Sequence, residues 1–310
     1  MAFKCMRRGH SVSVIFGISC ALIAVVIWGG WIVYTRHSVL SYLSPLDVGL
    51  LRFGTPAVLL APIWIKSGLI PSGVPKRVLF PLLAGSGAFF SLSISNGMTF
   101  APAAHTGALV PGTIPLWAAA IGFFIFKEHF NRVRLLGLLV MFFGALLLGG
   151  ASAIFDSITE GAWRGHLLFL FSAFMWACYA HAFVRSGLSA IQAVAVSSVW
   201  SAIVHAILAL SFGSSLPSIE TDLLLWQILV QGLLSGVIAF ITFSIAVKRL
   251  GPTRAAGFTS LVPAIAAIGG FFAIGEPLGI IEIIAIIFVT LGVVIASGGV
   301  FQKSSGRNLF

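Results

Sequence analysis

Few residues of this chain can do chemistry, and most of them stand inside long apolar runs. Arg52 lies in Leu51-Arg52-Phe53. A guanidinium there either holds a ligand carboxylate or extends along its own helix to the water interface. Asp47, five residues earlier, falls well round a helix from it and is no evident partner. His105 and His205 are candidate proton sites, since an imidazole titrates near pH ~6.5, and equally candidates for a plain hydrogen bond to a neighbouring helix. Gln227 and Gln231, four apart, share a helical face, and Ser91, Ser93, Ser95 and Asn96 cluster in another run. An unpaired polar group in hydrocarbon costs several kcal/mol, so Gln231 and Asn96 should face an interior, where they line a cavity or bond one another. Serines can bond back to their own helix. Trp28 and Trp31 have the spacing of one helical face, repeated by Trp176 and Tyr179. Such a pair can clamp an apolar or aromatic ligand or anchor at the membrane interface, and the second reading suits Trp31, close to the end of its run. Pro115 and Pro263 sit inside apolar runs and free the carbonyls of Pro111 and Thr259, which makes each a hinge facing a cavity or a packing kink.

This inventory serves binding better than catalysis. There is no Gly-x-Ser-x-Gly elbow, no His-x-x-Glu-His cluster, and the seven histidines are dispersed. Gly68-x-x-x-x-Gly73 is followed by Val74-Pro75 in place of Lys-Ser/Thr, so it is no phosphate loop. The cysteines Cys5, Cys20 and Cys178 have no metal or disulfide spacing. We therefore expect no enzyme, no metal and no cofactor. With no Asp or Glu at mid-span, a buried carboxylate relay is absent too, leaving histidine coupling, exchange and facilitated diffusion open.

The elements that must position these residues follow from composition. Of 310 residues 59% are hydrophobic and 8% charged, with a mean hydropathy of +1.09, against about 25% charged in soluble domains. A bilayer core takes about 20 apolar residues per helix. Ten such runs occur, at 14–34, 46–65, 78–96, 101–126, 135–153, 166–184, 190–212, 223–247, 255–274 and 278–298. None alternates as barrel strands do, so the fold class expected is an all-α integral membrane protein. The first run follows Lys4, Arg7 and Arg8, yet it is too long and lacks a cleavage pattern, so it reads as a span rather than a leader.

The net charge of +10 suggests nucleic acid until the charges are placed on the ten spans. Then all Lys and Arg except Arg36, Arg52 and Arg164 fall on one side, while Asp156, Glu160, Glu220 and Asp222 fall on the other. This is the positive-inside pattern. The partners expected are accordingly the lipid bilayer and a small solute, not nucleic acid, with both termini in the cytoplasm.

The chain also repeats itself. Pro115-x-x-Ala118-Ala119-x-x-Gly122-Phe123-Phe124-x-x-x-Glu128 returns as Pro263-x-x-Ala266-Ala267-x-x-Gly270-Phe271-Phe272-x-x-x-Glu276, and the same offset of 148 maps Gly17 onto Gly165, Trp28 onto Trp176 and Gly144 onto Gly292. The units are expected at 14–153 and 163–300. Five spans per unit force the second copy to cross the membrane in the opposite sense, so Glu128 and Glu276 should end on opposite faces. Lys127, Arg132 and Arg134 flank the first glutamate, whereas no Lys or Arg is near the second in sequence. The repeat is imperfect: Arg52 matches Trp200, and Asn96 matches Ser244.

With ten spans in two repeats, Arg52 in the second span, and a Pro-to-Gly-to-Glu block closing the fourth span of each half, the chain resembles the EamA family of the drug/metabolite transporter superfamily. The resemblance covers 14 to 300. It implies a bacterial inner-membrane carrier, often an exporter of amino acids or other small metabolites, working by alternating access around a central site. A channel or an assembly subunit of the membrane is the competing class. Gly232-x-x-x-Gly236 packs helices closely, within the bundle or in a homodimer.

Overall fold

The protein is described from a computed structural model, which covers residues 2–155, 161–250, 255 and 258–296. Asp156, Glu160, Arg254, Lys303, Arg307 and the last residues of the tenth run lie outside the described residues. Every regular element among those described is a helix. The chain is an all-α membrane protein of two five-span repeats.

Unbroken helices form α1 (Ala2–Ser41), α6 (Ala103–Phe126), α7 (Arg132–Phe155), α8 (Ala162–Ser186) and α9 (Ala190–Phe212). The apolar part of α1 begins at Val14 and continues to Ser41, past the limit of 34 expected from the sequence. The second span breaks into α2 (Pro45–Leu59) and α3 (Ala61–Ser67), bent by 74°. Pro62 at the break cannot donate, and the indole of Trp64 gives its N–H to the carbonyl of Ala57 at 2.7 Å, satisfying an acceptor that the interrupted helix abandons. The third span divides at Gly87 into α4 (Lys76–Ser86) and α5 (Ala88–Phe100). The eighth runs through α10 (Thr221–Gln227), a π-helical stretch at Ile228–Ile238, and α11 (Ala239–Leu250). A 3-10 turn at Thr259–Leu261 leads into α12 (Val262–Ile274), and α13 (Ile280–Ala296) completes the bundle.

The duplication in sequence is a duplication of contacts with the halves exchanged. A Cβ built on Gly17 would stand 2.8 Å from Cβ of Arg249, and one built on Gly165 would stand 2.7 Å from Cβ of Ala101. Both members of the second pair are the first pair's counterparts in the other repeat. Gly144 approaches the backbone N of Val289 at 2.8 Å on the same reckoning, and Gly292 approaches that of Met141 at 2.6 Å. Side chains are excluded at these points, so α7 and α13 lie backbone to backbone. Reciprocity of this kind is what a two-fold relation between the repeats produces.

The halves run in opposite senses. Glu276 follows α12 and accepts from the backbone N–H of Ala103, the first residue of α6, at 2.8 Å. Glu128 follows the last residue of the same α6 by two positions. At about 1.5 Å per residue the 24 residues of α6 separate the two glutamates by roughly 36 Å, about a membrane thickness. Gly232 and Gly236 face Thr55 and Pro56 of α2, so this close-packing motif is filled from within the chain.

Candidate functional site

Three groups of side chains occupy the seam between the halves. The first is polar. Trp31 donates from Nε1 to Oε1 of Gln231 at 2.5 Å, Gln231 donates to Thr35 Oγ1 at 3.1 Å and to Gln227 Oε1 at 3.2 Å, and Gln227 reaches Ser38 Oγ at 2.8 Å and the Tyr42 hydroxyl at 2.9 Å. This ladder joins α1 to the end of α10 and the π-helical stretch that follows it. Gln227 and Gln231 do share a face, as their spacing requires. Trp31, read as an interface anchor, is 4% exposed, because α1 extends well beyond it and carries the ring toward the middle of the span.

The second group surrounds a small cavity. Arg52 is 4% exposed and so does not extend to the interface. It donates to the Ser235 hydroxyl, and its guanidinium carbon lies 4.2 Å from the centroid of the Trp31 ring. Arg52, Tyr179, Phe53, Phe240 and Gly236 line the cavity together with Ser86, Ser197 and Ser198. Its volume is about 20 Å³, room for one water molecule. Trp28 and Trp176, equivalents in the two repeats, meet on the same Phe240 ring at centroid distances of 6.0 and 5.7 Å. Trp176 is 5.3 Å from Tyr179. Thus α1, α2, α8 and α11 bring Trp28, Arg52, Trp176 and Tyr179 to one locus, while Gln231 lies in the adjoining ladder.

The remaining candidates lie elsewhere. Asn96 donates to Leu92 O of its own helix at 2.7 Å, and Ser93 does the same to Phe89 O. His105 pairs with His166, Nδ1 to Nε2 at 2.9 Å, both rings buried. His205 engages Ser201 O at 2.8 Å and stacks on Phe53 at 5.6 Å. Pro115 is half-buried on α6. Pro263 opens α12 against Gly107, and the carbonyl of Thr259 that it frees is taken by Val262 N–H in the 3-10 turn. None of Asn96, His105, Pro115 and Pro263 borders the cavity.

The third group stands at one end of the bundle and was missed from the sequence. Arg36 of α1 places Nε 2.7 Å from Oε1 of Glu276, with both side chains 12% exposed. Arg36 also donates to Met98 O, and Glu276 holds Ala103 N–H through its other oxygen. Glu276 has no cation near it in sequence, as noted, but the fold brings one from 240 positions away. Its repeat equivalent, Glu128, keeps the same local frame: Glu128 N–H bonds Gly122 O at 2.9 Å, as Glu276 N–H bonds Gly270 O at 3.1 Å. Yet Glu128 is exposed and has no ion pair among the described residues. Nearby, the guanidinium of Arg185 lies 3.4 Å from the centroid of Phe126. No group of three or more metal-ligating side chains occurs among the described residues.

Comparison with known proteins agrees with this architecture. Residues 15–150 and 163–298 each match the model of the EamA-like transporter family. The uncharacterized transporter YyaM of Bacillus subtilis (strain 168) is 25% identical over 266 residues, covering 83% of this chain and 86% of that protein. A protein of Salmonella typhimurium (strain LT2) named "Probable amino-acid metabolite efflux pump" is 30% identical over 161 residues, 51% of this chain and 50% of its own. A crystal structure with 18% sequence identity covers 95% of this chain and 100% of its own at a TM-score of 0.60, a likeness of fold.

Proposed function

The chain belongs to the EamA-like transporter family, and from that premise we propose that it exports amino acids or related amphipathic metabolites by alternating access, as a multi-pass protein of the bacterial inner membrane with both termini in the cytoplasm. The observation that carries the reading is the unequal state of two ends built alike. Glu276 ties α1, α6 and α12 together through Arg36 and Ala103, whereas the Glu128 side chain ties no other element among the described residues. In an inverted repeat the two halves can exchange conformations, so a latch closed at one end and open at the other is one state of a two-state cycle. Arg185, whose guanidinium lies on Phe126 two residues before Glu128, would serve that glutamate in the other state. The inner rungs of the ladder, Trp31 and Thr35 with Gln231, and the aromatic cluster lie between these ends and form the central site, where Trp28, Arg52, Trp176, Tyr179 and Gln231 would meet the cargo. Asn96, His105, Pro115 and Pro263 act in this reading on the helices that move.

The efflux function named for the Salmonella relative supports the outward direction and the class of cargo. The basic side chains at the Glu128 end support its placement in the cytoplasm, with the Arg36–Glu276 latch facing outward. Nothing in the reading calls for a cofactor or a chemical step.

Two measurements test it. A reporter fused near Pro217 should report the outside and one near Ser186 the cytoplasm; the opposite result sinks the orientation. Metabolites compared inside and outside cells with and without overexpression should show raised efflux of an amino acid or amphipathic compound, and that compound should then show saturable counterflow in proteoliposomes. Unchanged efflux, or flux without counterflow, overturns the carrier assignment.

A further inference from the structure

Arg52 is a buried charge with no counter-charge among the described residues. Its guanidinium has five N–H donors and stays protonated. Among the described residues one oxygen, the Ser235 hydroxyl, accepts from it, and the Trp31 ring covers one face. No described carboxylate pairs with it. Asp47, the acid closest in sequence, is committed to Ser44 Oγ at 2.7 Å, Ser214 Oγ at 2.5 Å and Ser215 Oγ at 2.6 Å. Burying a cation without an anion is costly, more so in a membrane, and chains retain such groups where they meet a ligand or ion. The cost falls on one repeat alone: at the equivalent position Trp200 spends its indole N–H on Leu69 O at 2.8 Å. Arg52 also lines the cavity, together with Phe53, Phe240 and Tyr179, whose hydroxyl has no hydrogen-bond partner among the described residues.

We propose that Arg52 is the carboxylate-binding residue of the central site, so that the cargo carries one carboxylate on an apolar or aromatic body. The fork of the guanidinium takes both carboxylate oxygens, the Tyr179 hydroxyl donates to one of them, and the body lies among Phe240, Trp176 and Trp28. The cavity of about 20 Å³ admits such a molecule once Phe240 and Tyr179 draw apart, so this inference rests on the carrier reading above.

The test compares acids with their neutral amides, phenylacetate with phenylacetamide and indole-3-acetate with indole-3-acetamide, for binding to the full-length purified protein by calorimetry. The wild type should prefer each acid by about thirty-fold or more, the scale of a buried charge pair. Arg52→Gln should bind acid and amide alike, and Arg52→Lys, which keeps the charge but loses the fork, should retain a reduced preference. The ratio of two ligands is read because a general loss of active protein does not move it. If the Gln variant does not fold, the Lys variant decides. A wild type that binds neither acid, or a preference that persists undiminished in the variants, overturns the proposal. Counterflow separates the two readings: saturable counterflow of a cargo without a carboxylate sinks the anion site alone, whereas Arg52-dependent binding of acids without counterflow of any metabolite sinks the carrier alone.

Discussion

The Glu276 end and the Glu128 end of this molecule share a local design and differ in what it engages. In each, a Gly-Phe-Phe segment closes a helix, a residue with positive φ follows, and the glutamate N–H returns to the glycine carbonyl six positions back. At one end that residue is Gly275 with φ 69°, at the other Lys127 with φ 57°. The glutamate at the Gly275 end then meets a cation from another helix; the one at the Lys127 end does not. Duplication copies a helix terminus faithfully because capping is written within a few neighbouring residues. Tertiary partners are written elsewhere, and there the copies diverge.

The sharpest way to break this comparison is to reverse one charge of the latch. Arg36→Glu sets like charges together and leaves Glu276 without its cation, and we expect counterflow to fall about a hundred-fold, the equivalent of losing about 3 kcal/mol at a part-buried pair. Adding Glu276→Arg should recover about ten-fold of that and no more, since Ala103 N–H would then face a donor instead of an acceptor. No recovery at all would show that the two residues do not act as a pair. Next in size is neutralisation. Glu276→Gln should cost about 2 kcal/mol in thermal stability of the purified protein, because a part-buried cation is left behind, whereas Glu128→Gln should leave the melting temperature unchanged. Equal losses would mean that both ends are latched in solution. The smallest effect concerns the caps. A left-handed residue other than glycine costs about 1 kcal/mol, part of which the flexibility of an unfolded glycine returns, so Lys127→Gly should raise stability by about 0.5 kcal/mol, seen as a small rise in melting temperature.

Much of this fold is legible in the sequence. Hydrocarbon leaves helices as the only way to satisfy the backbone, so ten apolar runs gave ten spans, and five per repeat gave their inversion. The in-span position of Arg52 left two readings, a ligand contact or a side chain extended to the interface, and its burial excludes the second. Trp31 reads as an interface residue for a simple reason: apolar composition fades at 34 while helical hydrogen bonding persists to Ser41, so hydropathy alone places the side chain nearer the surface than it is. The Arg36–Glu276 pair left no trace, since neither residue has a local reason to need the other. Nor does any run of residues from Ile228 to Ile238 announce that its hydrogen bonds will skip one place further than usual.

That π-helical winding has a consequence for how the eighth span addresses the first. Residues nine apart in an α-helix point about 180° away from each other. Gln231 and Phe240 are nine apart, yet both reach α1, one through Trp31 and the other through Trp28. The looser turns between them act as a phase correction: they spend rotation that a regular helix would have accumulated, and so deliver an amide and an aromatic ring, two different solvents for a passing molecule, onto a single stripe.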